Sequence, residues 1–228
     1  MNKRLIAAID TPDLVQAQAL VRGVAPHCGL VKLGLEFFLR HGPEGFAAAV
    51  QGNPVFLDLK LHDIPNTVAG AVRSLLPLGA AMLTIHAGGG AKMIEAAAKA
   101  AGAGSQRPKI LAVTVLTSLD EAALADMGVA GGTGAQVLRL ARIALENGAD
   151  GLVCSPHEIA RLRDAFGATP ILVVPGIRPA GAALGDQARV MTPEEAVQAG
   201  ADYIVVGRPI TEAVDPGAAA ALIAASIL

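Results

Sequence analysis

The sequence has no Trp, one Tyr and five Phe among its 228 residues. So few rings leave little on which to stack nucleobases, and binders of single-stranded nucleic acid depend on such stacking. A charge excess of one sign is also missing: 18 basic and 20 acidic residues give a formal net charge of -2, so nothing draws in a phosphate backbone. Both absences argue against a dedicated nucleic-acid binder. There are only two cysteines, Cys28 and Cys154. They match neither a metal-ligand spacing nor a disulfide framework and read as small core residues in a reducing compartment, so a cytoplasmic protein is expected. Long apolar runs are absent too. The C-terminal GAAAALIAASIL falls short of the roughly 20 residues that span a bilayer. The apolar run in MNKRLIAAID stops at Asp10, too soon for a secretory signal. A soluble chain without signal peptide or membrane contact is expected.

What is present is a core. With 53% apolar and 17% charged residues, a chain of this length can bury roughly 70 to 75% of the surface that its unfolded form exposes, which excludes disorder as a description of the whole. Short β-branched or aliphatic runs alternate with Ala- and Leu-rich stretches, the rhythm of βα units feeding a parallel sheet. Candidate strands fall at residues 4–10, 29–34, 54–60, 81–87, 109–116, 150–154, 170–176 and 202–207. Helical stretches such as DLVQAQALVRGV, NTVAGAVRSLLPL and AQVLRLARIALENG lie between them, several opened by Ser, Thr, Asp or Asn and closed by Gly. Eight strands suffice to close a barrel. No linker divides the chain, and no GxGxxG follows the first strand, which disfavours a doubly wound open sheet. The fold class is therefore α/β, a (β/α)8 TIM barrel forming a single domain over residues 1–228.

Chemistry in such barrels gathers at the C-terminal strand ends. Asp10 ends the first strand, Lys32 lies near the end of the second, Asp58 and Lys60 end the third, and His86 ends the fourth. Thr114, Thr117 and Ser118 follow in the fifth segment, and Arg178 and Arg208 come just after the seventh and eighth. The richest segment is FLDLKLHDIPNT, residues 56–67. Side chains alternate along a strand, so Asp58 and Lys60 face the barrel mouth together while Leu57, Leu59 and Leu61 face the covering helices. Asp63 arrives just beyond, and Pro65, Asn66 and Thr67 read as a turn into a helix. A lysine between carboxylates suits a proton donor better than a Schiff-base nucleophile. The bland alternative is a rim ion-pair network, but gathering such charges at a closed site is costly without a use.

PGIRP (175–179) and VGRP (206–209) are both glycine-containing loops that carry an arginine. Loops after strands seven and eight commonly bind phosphate in these barrels, and Gly207 with Arg208 suits that role. The stretch AGAALGDQARV, residues 180–190, reads as either a lid carrying Gln187 over a ligand or a plain surface loop. A metal on His62, Asp58 and Asp63 is not expected, because His62 is out of phase with Asp58 and Lys60 and an adjacent ammonium would compete with a cation. Packing or surface roles suit His27, His41, His86 and His157 at least as well as catalysis. AGGGAK, residues 87–92, lacks the full P-loop spacing.

Taken together these segments resemble the orotidine 5'-phosphate decarboxylase family of the bacterial type, nearly end to end. The resemblance rests on Asp10, VKLG with Lys32, DLKLHDIPNT (58–67), VTVLTS (113–118), PGIRP, GDQ and VGRP. The DxKxxD pattern alone is shared with sugar-phosphate decarboxylases and aldolase-like synthases; HDIPNT narrows it. AGGG after His86 departs from the family, where a serine or other small polar residue stands among the glycines. The resemblance implies decarboxylation of orotidine 5'-monophosphate to uridine 5'-monophosphate without metal or organic cofactor, in a homodimer with active sites at the interface. It implies Lys60, Asp58 and Asp63 as catalytic residues, and Asp10 and Lys32 on the ribose. It places Asp63 and Thr67 across from the partner subunit, and Thr117 or Ser118 on the pyrimidine. Gln187, Arg178, Gly207 and Arg208 would hold the phosphate or close the lid. Two competing readings are a magnesium-dependent sugar-phosphate enzyme of the same barrel group and a catalytically silent phosphate-binding barrel.

Overall fold

The computed structural model describes residues 4–104, 106–180 and 191–227. Eight parallel strands close into a barrel in sequence order: β1 (Leu5–Ala8), β2 (Leu30–Gly34), β3 (Val55–Leu61), β4 (Met82–His86), β5 (Lys109–Val113), β6 (Gly151–Val153), β7 (Ile171–Val174) and β8 (Tyr203–Val206). Closure is made by β1 against β8, with Leu5 opposite Ile204. Each predicted strand is present, but several end earlier than their apolar runs. β5 stops at Val113 and β7 at Val174, because the last residues of each run leave the ladder to shape the mouth. Thr114 belongs to that departure: it is buried, and its hydroxyl donates to the Val153 carbonyl at 3.2 Å. It extends the wall and offers no free polar group there.

The strands read as near-continuous apolar runs because both faces are covered. Alternate residues build two cores. Ile6, Leu30, Phe56, Met82, Leu111, Val173 and Val205 fill the barrel interior, with Tyr203 packed against them. Leu57, Leu83, Ile110 and Leu172 point outward into the larger layer beneath the helices. That layer is covered by helices including α1 (Leu14–Val24), α2 (Leu35–Val50), α3 (Pro65–Leu75) and α4 (Gly90–Ala101). The Asp13 carboxylate caps α1 by accepting the Gln16 N–H at 2.7 Å. Apolar periodicity continues through Gly42 and Pro43, where α2 is kinked by non-helical backbone, since a proline cannot supply the N–H of an unbroken turn.

Charged staples hold the opposite, N-terminal end. Asp150 accepts the Ile110 N–H at 2.9 Å and pairs with Arg107 at 2.8 Å. Asp202 accepts the Leu172 N–H at 2.8 Å and pairs with Arg163 at 2.7 Å. Polar residues at that face of a barrel serve stability. No helix among the described residues is long and apolar enough to cross a membrane.

Candidate active site

The barrel interior changes character along its axis. Phe56 lies in the apolar floor, and the next inward positions of β3 are Asp58 and Lys60. Alternation carries both into the mouth, as the sequence predicts, but the strand does not run evenly. Its register against β4 shifts between Leu57 and Leu61, and Lys60 adopts φ +51°. That left-handed conformation is costly for any residue with a Cβ, on the order of 1–2 kcal/mol. The distortion takes the Lys60 N–H out of the ladder and gives it to the Thr84 hydroxyl at 2.9 Å.

Four charges follow one another across β1, β2 and β3. Asp10 Oδ1 accepts from Lys32 Nζ at 3.1 Å, Lys32 Nζ stands 3.7 Å from Asp58 Oδ2, and Lys60 Nζ donates to that same oxygen at 2.9 Å. Thr84 Oγ1 donates to Asp58 Oδ1 at 2.9 Å. Burial alone would push the Asp58 carboxyl up; the Lys32 and Lys60 ammoniums and the hydrogen bonds from Lys60 and Thr84 outweigh it and hold the group below the usual carboxylate range. Asp58 is therefore ionised at neutral pH. Its side chain is 13% exposed and that of Lys60 39%, so the carboxylate is locked in while the ammonium remains open to a ligand.

Asp58 and Lys60 line a cavity of about 570 Å³, a volume suited to a small-molecule ligand. Asp10, Lys32, Thr117, Arg178, Gly207 and Arg208 also line it, so most residues singled out from sequence converge there. Arg208 opens a short helix (Arg208–Thr211), directly after Gly207. A side chain at Gly207 would project toward Ala8 and Asp10, each 3.6 Å from its Cβ. Arg178 is buried, donates to the Ile177 carbonyl at 2.9 Å, and is held from behind by pairing of Ile177 with Met191.

Other candidates stand apart. Ser118 is exposed and not part of the cavity wall, which leaves Thr117 as the hydroxyl on the cavity side. Asp63 and Thr67 are exposed and also outside the wall. The Asp63 carboxylate accepts its neighbour's N–H, that of Ile64, at 2.7 Å. Within one chain Lys60 therefore meets one of the two expected carboxylates. Gln187 lies outside the described residues.

Among the described residues no three His, Cys, Asp or Glu side chains gather in a way that could hold a metal. His62 instead stacks on His86, with ring centroids 5.1 Å apart and planes inclined by 12°. Burial, then His62 and Lys60, push the His86 imidazole below its ordinary range; its Nδ1 accepts the Gly88 N–H at 3.1 Å. His41 is a packing residue, tilted against Phe37 and bonded to the Pro12 carbonyl. Cys154 reaches the cavity wall, but burial raises its thiol well above the usual range, and it stays protonated.

Thr84 was missed by the sequence reading. Its signal was a lone hydroxyl in AMLTIHA between Leu83 and Ile85, at the phase that alternation turns inward.

A closed barrel with lysines and carboxylates paired at the C-terminal ends of its strands has the build of a barrel enzyme, whose chemistry gathers at that face. Among such barrels, the chain belongs to the Orotidine 5'-phosphate decarboxylase / HUMPS family, whose profile matches residues 3–223. It is 60% identical over 227 residues to the orotidine 5'-phosphate decarboxylase of Anaeromyxobacter sp. strain K, covering 99% of each chain. It is 59% identical to the enzyme of that name from Anaeromyxobacter dehalogenans, with the same coverage. The crystal structure of orotidine 5'-phosphate decarboxylase from Lactobacillus acidophilus superposes with a TM-score of 0.88 at 39% identity, covering 99% of both chains.

Proposed function

We propose that the protein is an orotidine 5'-monophosphate decarboxylase, a carboxy-lyase that forms uridine 5'-monophosphate and carbon dioxide in the last step of de novo uridine 5'-monophosphate synthesis. The observation that carries this reading is the Lys60 ammonium, 2.9 Å from a largely buried, ionised Asp58 and open to the cavity. Family membership supports it.

Loss of carbon dioxide from C6 of the pyrimidine leaves its electron pair on a carbon with no adjacent carbonyl to absorb it, so stabilisation must be electrostatic and preorganised. Lys60 meets both needs. Its charge faces the developing carbanion, and its Nζ then gives a proton to C6. Asp58 would stand against the departing carboxylate, so that repulsion between the two is relieved as carbon dioxide leaves. Asp10 and Lys32 take the ribose hydroxyls, and Thr117 the pyrimidine. Gly207 and Arg208, with Arg178 and Gln187, take the phosphate, in the loops that carry phosphate sites in other barrels of this architecture.

The exposure of Asp63 and Thr67 supports a homodimer in which each is delivered to the partner's site, restoring the second carboxylate beside Lys60. The lysine partners of Asp10 and Asp58 count against a magnesium-dependent sugar-phosphate enzyme, which needs carboxylates free to ligate a cation. A silent phosphate-binding barrel would have no call for a strained proton donor. The direct test follows the ultraviolet absorbance of orotidine 5'-monophosphate with purified protein and a chelator. Conversion to the uridine product is expected; a folded protein that leaves the spectrum unchanged overturns the proposal.

A further inference from the structure

Lys60 and Gln51 are the only non-glycine residues at positive φ among the described residues. Gln51 has an ordinary reason for it, since it caps the C-terminal end of α2. Lys60 ends no helix and makes no turn. It lies inside β3, and something must hold its backbone there.

The holder is a hydroxyl. Thr84 is fully buried on β4, the strand beside β3. Its Oγ1 accepts the Lys60 N–H at 2.9 Å and donates to Asp58 Oδ1 at 2.9 Å. A backbone N–H can only donate and an ionised carboxylate can only accept, so the hydroxyl has one workable orientation. The other Asp58 oxygen receives Lys60 Nζ at 2.9 Å. The bonds therefore close a loop with two arms: the Lys60 N–H donates to Thr84 and Thr84 to one Asp58 oxygen, while the Lys60 ammonium donates to the other. The two bonds through the hydroxyl run head to tail, and such a pair is stronger than its separate bonds.

We infer that Thr84 is a positioning residue: its hydroxyl ties the strained Lys60 backbone to the Asp58 carboxylate and so fixes where the Lys60 ammonium stands against the reacting carbon. This rests on the decarboxylase reading. Thr84 lies behind the two charged residues and is not part of the cavity wall, so it acts through them without touching substrate.

The test compares Thr84→Val, Thr84→Cys and Thr84→Ser with the wild type, using orotidine 5'-monophosphate turnover across pH. Thr84→Val keeps the shape and removes both bonds. It should lower kcat on the order of 10- to 100-fold, the scale of a displaced catalytic group, with KM little changed because the ribose and phosphate grips are untouched. The acid limb of kcat/KM should move to higher pH, since Asp58 loses a hydrogen bond that favours its charged form. Thr84→Ser keeps both bonds and should restore kcat and the limb. Thr84→Cys, a weak donor and poor acceptor of similar size, should fall between, and it decides the matter if Thr84→Val does not fold. Wild-type kcat and an unmoved acid limb in Thr84→Val or Thr84→Cys would overturn the inference. So would equal losses in Thr84→Ser and Thr84→Cys, which would indicate packing alone. An inactive wild type would instead overturn the decarboxylase reading, and this inference with it.

Discussion

Replacing Lys60 by alanine and by glycine separates its charge from its backbone. Both variants remove the ammonium 2.9 Å from Asp58, and with it the proton donor. General acid catalysis contributes about 10²- to 10⁴-fold, and one well-placed electrostatic group about 10²- to 10³-fold. Turnover should therefore fall by at least about 10⁴-fold in both, followed by the same absorbance assay. Stability should distinguish them. Within a strand, glycine is ordinarily the weaker residue by about 0.5–1 kcal/mol. At φ +51° the order should reverse, because alanine retains the Cβ clash of left-handed backbone, about 1–2 kcal/mol, and glycine does not. Partial offset by glycine's larger unfolded-state entropy leaves glycine ahead by about 1 kcal/mol, or roughly 2–4 °C in Tm for a chain of this size. Urea denaturation of the two inactive proteins reads this difference. Alanine equal to or more stable than glycine would refute the strain assigned to Lys60, and retained turnover in either would refute its role as donor.

Arg208→Ala should reduce turnover of the phosphorylated substrate far more than that of the bare nucleoside, because remote binding energy drives the chemical step; equal losses would contradict a phosphate role. Mixing Lys60→Ala with Asp63→Ala subunits should restore activity neither has alone, one competent site per mixed dimer; no recovery after verified exchange would refute the shared site. Asp58 is held below its ordinary range of 3.8 when folded, so its ionisation adds stability that is fully present above that value and is lost as pH falls through the lowered one. The stability gap between wild type and Asp58→Asn should accordingly be widest near neutral pH and narrow below about pH 4 in denaturant titrations. A gap that widens on acidification would refute the assignment.

Sequence pattern reached the barrel because closure demands apolar strands on both faces, and it reached Asp58 and Lys60 because a two-residue period sends both to one side. It also reached Asp10, Lys32, Gly207 and Arg208, since each lies at the end of such a run. It overestimated strand length at β5 and β7, where hydrophobicity continues past the last paired residue. It could not separate Thr117 from Ser118, because adjacent residues in a loop have no fixed period. The left-handed turn at Lys60 was also beyond it: nothing in DLKL announces a positive φ, which a neighbouring strand imposes through Thr84.

Asp58 explains why the four charges are strung in this order. Alone in the barrel mouth its carboxylate would be pushed toward neutrality, and a neutral acid neither repels a departing carboxylate nor orients an ammonium. Lys32 and Lys60 share one of its oxygens and Thr84 holds the other, which keeps it ionised at the depth where the floor turns apolar. Asp10 in turn occupies Lys32 from the solvent side. Lys60 is left at the open end of the series, ion-paired among the described residues with Asp58 alone, and it lines the cavity. On the proposed reading the carboxylate missing from its other flank is Asp63 of a second chain. The sequence places Asp63 three residues beyond Lys60, just before α3, where it is exposed and outside the wall of its own cavity. A donor completed in this way is assembled only when two chains meet, so activity and dimerisation should rise together as protein is concentrated from dilution. Constant specific activity across a measured dimer-to-monomer transition would break that link.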